Sequence, residues 1–70
     1  MLLGYVIMDA AGTLLAQDMI GATQLLSEAK IWPPSEQEAA TEYMRALKNS
    51  GALRNWVLYE VRPRAVRPTF

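Results

Sequence analysis

"YVIMDAAGTLLAQ", residues 5–17, decides how this chain begins to fold. An apolar run meets a single aspartate, a short Ala-Ala-Gly, and a second apolar run. Tyr5, Val6 and Ile7 favour a pleated strand, and residues 2–8 read as one. Asp9-Ala10-Ala11-Gly12 puts Asp at the first position of a type I turn and Gly at the fourth. Gly12 is free to take φ > 0 and close a three-residue hairpin with a bulge. Residues 13–17 then form the return strand.

Downstream the signals are weaker until residue 30. Gly21 interrupts any regular element, and Thr23 is placed to cap a short turn through residues 25–28. Lys30-Ile31-Trp32 reads as a short extended segment. Pro33-Pro34 stops it, because Pro34 keeps Pro33 out of the α region. Ser35-Glu36-Gln37-Glu38 has the pattern of a capping box, with Ser35 and Glu38 bonding reciprocally to backbone N–H groups. Ala39, Ala40, Tyr43, Met44 and Leu47 then recur at helical spacing, predicting an apolar stripe on a helix ~21 Å long. Gly51 is placed for an αL C-cap.

Residues 56–62 read as the last strand, ended by Pro63. Alternation puts Val57, Tyr59 and Val61 on one face and Trp56, Leu58, Glu60 and Arg62 on the other. The expected fold is α+β: a two-layer ββαβ domain over residues 1–63, with a three-stranded antiparallel-type sheet and one helix packed on one face. Residues 64–70 are expected as an extended basic tail. With the helix on Val57, Tyr59 and Val61, the face carrying Trp56 and Leu58 is left over. The loop holding Leu25 and Leu26 would cover it, or a second copy of the chain would, and a homodimer is expected.

Composition narrows the chemistry. The chain has 70 residues, no cysteine and no histidine. Disulfides, thiolate or imidazole metal ligands and an imidazole base are thereby excluded. No cofactor and no metal site are expected. A small domain without disulfides points to the cytoplasm. No apolar run reaches the ~20 residues of a membrane span, and residues 1–7 lack the basic start of a signal peptide. Net charge is +0 but split. Residues 1–51 carry six acids and three bases; residues 52–70 carry four arginines and one acid. Four arginines are few for nucleic acid, whereas an acidic protein surface or a small anion suits them. The candidate interaction residues are Trp32, Trp56, Leu58, Arg62, Arg64 and Arg67, since aromatics and arginines dominate contact surfaces.

The segment "VIMDAAGTLL" resembles the first motif of the haloacid-dehalogenase-like phosphohydrolases, an apolar strand followed by Asp-x-Asp-Gly-Thr-Leu. That resemblance would make Asp9 a nucleophile. The second aspartate of the motif falls on Ala11, so the acid/base group is missing. The parallel sheet, the lysine and the magnesium carboxylates that those enzymes need do not fit in this chain. An enzyme is not expected.

The wider order, "YVIMDAAGTLLAQ … LSEAKIWPPSEQEAATEYMRAL … NWVLYEVRP", resembles small phage and prophage proteins. Its ending is also similar to small phage inhibitors of bacterial RNA polymerase. There, arginines near a final strand grip the host enzyme, and Arg62 and Arg64 match those positions. The resemblance implies a non-enzymatic protein that binds and inhibits a host protein or defence complex in the host cytoplasm. A binder of a small anionic ligand, such as a signalling nucleotide held between protomers by arginines and a tryptophan, is the alternative.

Overall fold

The computed structural model describes residues 1–50 and 55–69. In chain order the elements are β1 (Gly4–Met8), β2 (Leu14–Leu15), β3 (Ala22–Thr23), α1 (Gln37–Asn49), β4 (Val57–Arg62) and β5 (Ala65–Pro68), with single 3₁₀ turns at Leu26–Glu28 and Pro34–Glu36. The strands form one antiparallel sheet of five, in the order β3-β2-β1-β4-β5. The α+β class is as expected, but the sheet has five strands and not three. The two additions have local causes. β3 folds back on β2, with Leu14 opposite Thr23 and Leu15 opposite Ala22. β5 is drawn from the segment expected as a tail. Arg62 lies opposite Ala65, so Pro63-Arg64 is a two-residue turn. Proline's fixed φ suits the first corner of such a turn as well as it suits a strand end.

The hairpin turn forms as its residues predict. Gly12 has φ +85, and its N–H donates to the Asp9 carbonyl at 3.1 Å, while the Asp9 N–H donates to the Thr13 carbonyl at 2.9 Å. The Asp9 carboxylate caps this turn from within. Its Oδ1 accepts the N–H of Ala11 (3.0 Å) and of Thr13 (2.9 Å). Beyond Met8↔Leu14 the two strands of the hairpin separate. Residues 28–32 take up the backbone groups left behind. Ala29 bridges Ala16, and Trp32 bridges Tyr5. The Tyr5 N–H donates to the Trp32 carbonyl at 2.8 Å, and the Trp32 N–H donates back to the Tyr5 carbonyl at 2.9 Å. Gly4 makes this approach feasible. A β-carbon there would lie 2.4 Å from the Trp32 carbonyl oxygen and 2.9 Å from Ile31 Cγ2.

Register divides the sheet into two faces. Ile7 pairs with Leu58 and Tyr5 with Glu60, whereas Val6 pairs with Tyr59 and Met8 with Val57. The helix packs on the first set. Tyr5, Ile7, Leu15, Trp32, Ala40, Trp56 and Leu58 form one buried cluster, with Tyr43, Met44 and Leu47 of the helix packed against it. The expected side is therefore reversed: the helix covers Trp56 and Leu58, and Val57, Tyr59 and Val61 face away from it. The reason is size. Two packed layers leave a gap that large side chains fill, and the tryptophans, Tyr5 and Leu58 fill it better than a row of valines. The stripe on the helix is Ala40, Tyr43, Met44 and Leu47; Ala39, expected in it, is exposed.

The helix entry also differs. A 3₁₀ turn at Pro34–Glu36 precedes α1, the N-cap is Glu36, and no side chain caps it. Ser35 sits inside that 3₁₀ turn, so the capping box does not form. Lys48 occupies the last turn, where it suits the helix dipole. The expected Gly51 C-cap lies outside the described residues.

Gly4→Ala is expected to destabilise the domain by about 1–3 kcal/mol, because the added methyl forces the Trp32 backbone away. Ser35→Ala should change stability by less than about 0.5 kcal/mol, since it removes no cap. Thermal unfolding checks both, at roughly 4–8 °C per kcal/mol for a chain of this size.

Candidate interaction surface

The six candidate contact residues separate into two groups. Trp32, Trp56 and Leu58 are 4%, 6% and 4% exposed, so they are core and present no surface to a partner. Trp32 is seated with unusual completeness. Its ring centroid lies 6.0 Å from that of Tyr43 at a tilt of 43°, a favourable aromatic pairing. The Lys30 ammonium lies 5.5 Å from the same ring, within cation–π range.

Arg62, Arg64 and Arg67 come together. With Met1, Pro63 and Ala65 they line a concavity of about 380 Å³ at the β4–β5 hairpin. Each arrives by a different local route. Arg62 ends β4, Arg64 occupies the turn, and Arg67 lies on β5 opposite Glu60. Glu60 holds Arg62, its Oε1 accepting from Nη2 at 2.9 Å and from Nε at 3.2 Å. This pair is partly exposed, so it contributes little stability. Its effect is to fix the direction of one guanidinium. Arg64 and Arg67 are exposed, and among the described residues neither makes an ion pair. A planar guanidinium matches a carboxylate or phosphate with two parallel hydrogen bonds. Around them the surface is partly apolar, through Met1, Pro63 and Ala65.

Asp9 does not sit in a comparable site. It is 7% exposed, and its Oδ1 accepts two turn N–H groups. The sheet around it is antiparallel throughout, unlike the parallel sheet that the phosphohydrolase resemblance implies. Among the described residues no group of three or more Asp, Glu, His or Cys side chains is arranged to hold a metal. No helix among them is long and apolar enough to cross a membrane.

A second feature escaped the sequence reading. The loop between β2 and β3 repeats the Asp-x-x-Gly spacing of the hairpin turn, as Asp18-Met19-Ile20-Gly21. Asp18 Oδ1 accepts the N–H of Ile20 and of Gly21, both at 2.9 Å. Met19 has φ 63, a left-handed conformation that costs a non-glycine residue free energy. The loop is held there from both sides. The Met19 N–H donates to the Ala16 carbonyl at 2.9 Å, and the Tyr43 hydroxyl donates to the Met19 carbonyl at 2.7 Å. Ile20 is left 90% exposed at the tip. The spacing was the available signal, since Asp followed by Gly three residues on is a turn pattern wherever it falls.

Asp18 and Glu28 line one concavity with residues of this β2–β3 loop, while the arginines gather at β5, the opposite edge of the sheet. The charge split read along the chain is thus also a split across the sheet. Comparison of the chain with protein-family models, with curated proteins and with solved structures returned no match.

The hydrogen bonds from Gly21 and Ile20 hold the Asp18 carboxyl below its ordinary value of 3.8. A depressed folded-state value means stability that is complete above the unfolded value and is lost as pH falls through the folded one. Asp18→Asn is therefore expected to lower the melting temperature near neutrality and to flatten the part of the acid-unfolding curve that lies below about pH 4, so that the two curves converge at low pH. Melting curves of both proteins between pH 2 and 7 check this.

Proposed function

We propose that this chain is a non-enzymatic binding protein whose β4–β5 hairpin engages an acidic surface of a partner protein and blocks it. The observation that carries the reading is the gathering of Arg62, Arg64 and Arg67 around one partly apolar concavity, with Arg64 and Arg67 unpaired among the described residues. Arginines beside apolar surface are what a contact centre uses: the guanidinium gives direction and the apolar neighbours exclude water. Asp9, the one residue with a catalytic resemblance, is occupied in holding a turn. The phage-type order of the sequence motifs favours a host protein or a defence complex as the partner, met in the host cytoplasm.

The second reading is a small anionic ligand, such as a signalling nucleotide, bound by the same arginines. Arginine chemistry alone serves both. What weakens this second reading is that the tryptophan it would stack on is not available, since Trp32 and Trp56 are both buried.

Arg64→Glu combined with Arg67→Glu separates the readings. The wild-type chain, immobilised and exposed to bacterial lysate at physiological salt, should retain a protein that the double variant does not. Affinity for that purified protein should fall roughly tenfold or more. Equal retention by both chains would overturn the reading. A rise in melting temperature with cyclic nucleotides, absent in the double variant, would favour the small ligand instead.

A further inference from the structure

We propose that the acidic partner segment is an extended strand, and that it adds to the outer edge of β5. The proposal rests on the arginines being a contact site, and names the form in which the partner's carboxylates reach them. In an antiparallel sheet the N–H and C=O of one residue point to the same side, and successive residues alternate sides. Tyr5 exchanges both its backbone bonds with Trp32, so its groups point away from β4. Those of Glu60, the residue opposite Tyr5, then turn toward β5. Leu58 shows the same parity, since its carbonyl accepts the Thr69 N–H at 3.2 Å. Arg67, opposite Glu60, therefore bonds inward, and Val66 and Pro68 point out of the sheet. Among the described residues no backbone group takes up their outward bonds. The edge thus offers the Val66 N–H as donor and the Val66 and Pro68 carbonyls as acceptors, on a strand exposed from Val66 to Pro68. The opposite edge, β3, is only two residues long.

Charge decides the occupant. A second copy is disfavoured, because pairing β5 with itself sets Arg64 and Arg67 beside the same arginines, and Pro68 lacks the N–H that would continue the ladder. The homodimer expected from the sequence has no better footing on the sheet faces. Trp56 and Leu58 lie under the helix, and Val6, Leu14 and Val61 on the other face are 0%, 5% and 4% exposed. An acidic strand reverses the sign of the interaction at the edge. In antiparallel register its residue opposite Val66 exchanges two backbone bonds with Val66, and the residue opposite Pro68 donates its N–H to the Pro68 carbonyl. Side chains of these two share the apolar face of Tyr59, Val61 and Val66. The residues that alternate with them lie on the side of Arg67, and those are the positions for carboxylates, which a guanidinium binds with two parallel hydrogen bonds. The edge therefore fits a segment that alternates acidic and apolar residues, with backbone bonds supplying affinity and alternate side chains supplying specificity.

Short capped peptides alternating glutamate and valine are the probe, tested against the full chain. At saturation the parent peptide should slow exchange of the Val66 amide roughly tenfold or more, while the Arg67 amide, bonded within the sheet already, changes less. Lysine in place of glutamate should weaken binding roughly tenfold or more, and so should methylation of the valine nitrogens, which removes the donors facing β5. Methylation of the glutamate nitrogens, which face away, should leave the affinity largely unchanged. These comparisons alter the peptide and not the chain, so no variant has to fold. Equal binding of the two methylated peptides with Val66 exchange unchanged would overturn the inference and leave the arginine reading standing, since side chains alone would then hold the carboxylates. A parent peptide that does not bind, or a lysine peptide that binds as well, would also overturn it. The arginine reading is judged separately, by the lysate comparison with Arg64→Glu and Arg67→Glu combined.

Discussion

The backbone pair between Tyr5 and Trp32 requires a position 4 without a β-carbon, and much of the structure depends on that. With Gly4 in place, the chain around Trp32 comes close enough for two hydrogen bonds of 2.8 and 2.9 Å. Residues 28–32 then occupy the space where the two strands of the first hairpin part. This carries the Trp32 ring into the layer between sheet and helix, where it meets Tyr43. Tyr43 in turn reaches the Met19 carbonyl and holds the β2–β3 loop in its left-handed conformation. One missing methylene thus connects the central strand, the helix and a surface loop. Pro33 and Pro34 follow directly, so the chain leaves the sheet and enters the helix without further pairing.

The same packing decides what the surface can do. Both tryptophans and Leu58 are drawn under the helix, and the polar ends of β4 and β5 extend past it. Glu60 fixes Arg62, the Pro63-Arg64 turn places Arg64, and the register of β5 places Arg67 beside them. The arginine cluster is therefore a product of the hairpin that a tail could not supply. A mobile tail would lose conformational entropy on binding, whereas a hairpin has lost much of it already on folding.

Much of this was legible in the residues. Asp9 and Gly12 specify their turn through side-chain acceptors and positive φ, which are local properties. The helix stripe and the strand at Val57–Arg62 follow from periodicity. What was not legible depended on non-local packing. Alternation tells which side chains share a face, but not which face a helix will take; that was settled by the volume of Trp56, Leu58 and Tyr5. β5 was hidden because Pro63 reads equally well as a stop or as a turn corner. The Ser35 capping box was overridden by a 3₁₀ turn, which uses Pro34 at its start. For the site, the three arginines were visible as residue types, but their convergence required the fifth strand.

Amide hydrogen exchange tests the Tyr5–Trp32 pair most directly. Each N–H donates to the other residue's carbonyl, so both amides should open only when the domain unfolds as a whole. The account predicts that Tyr5 and Trp32 rank with the central residues of β1 and β4 among the slowest amides. Exchange at Trp32 as fast as at Ala10 in the exposed hairpin turn would contradict it.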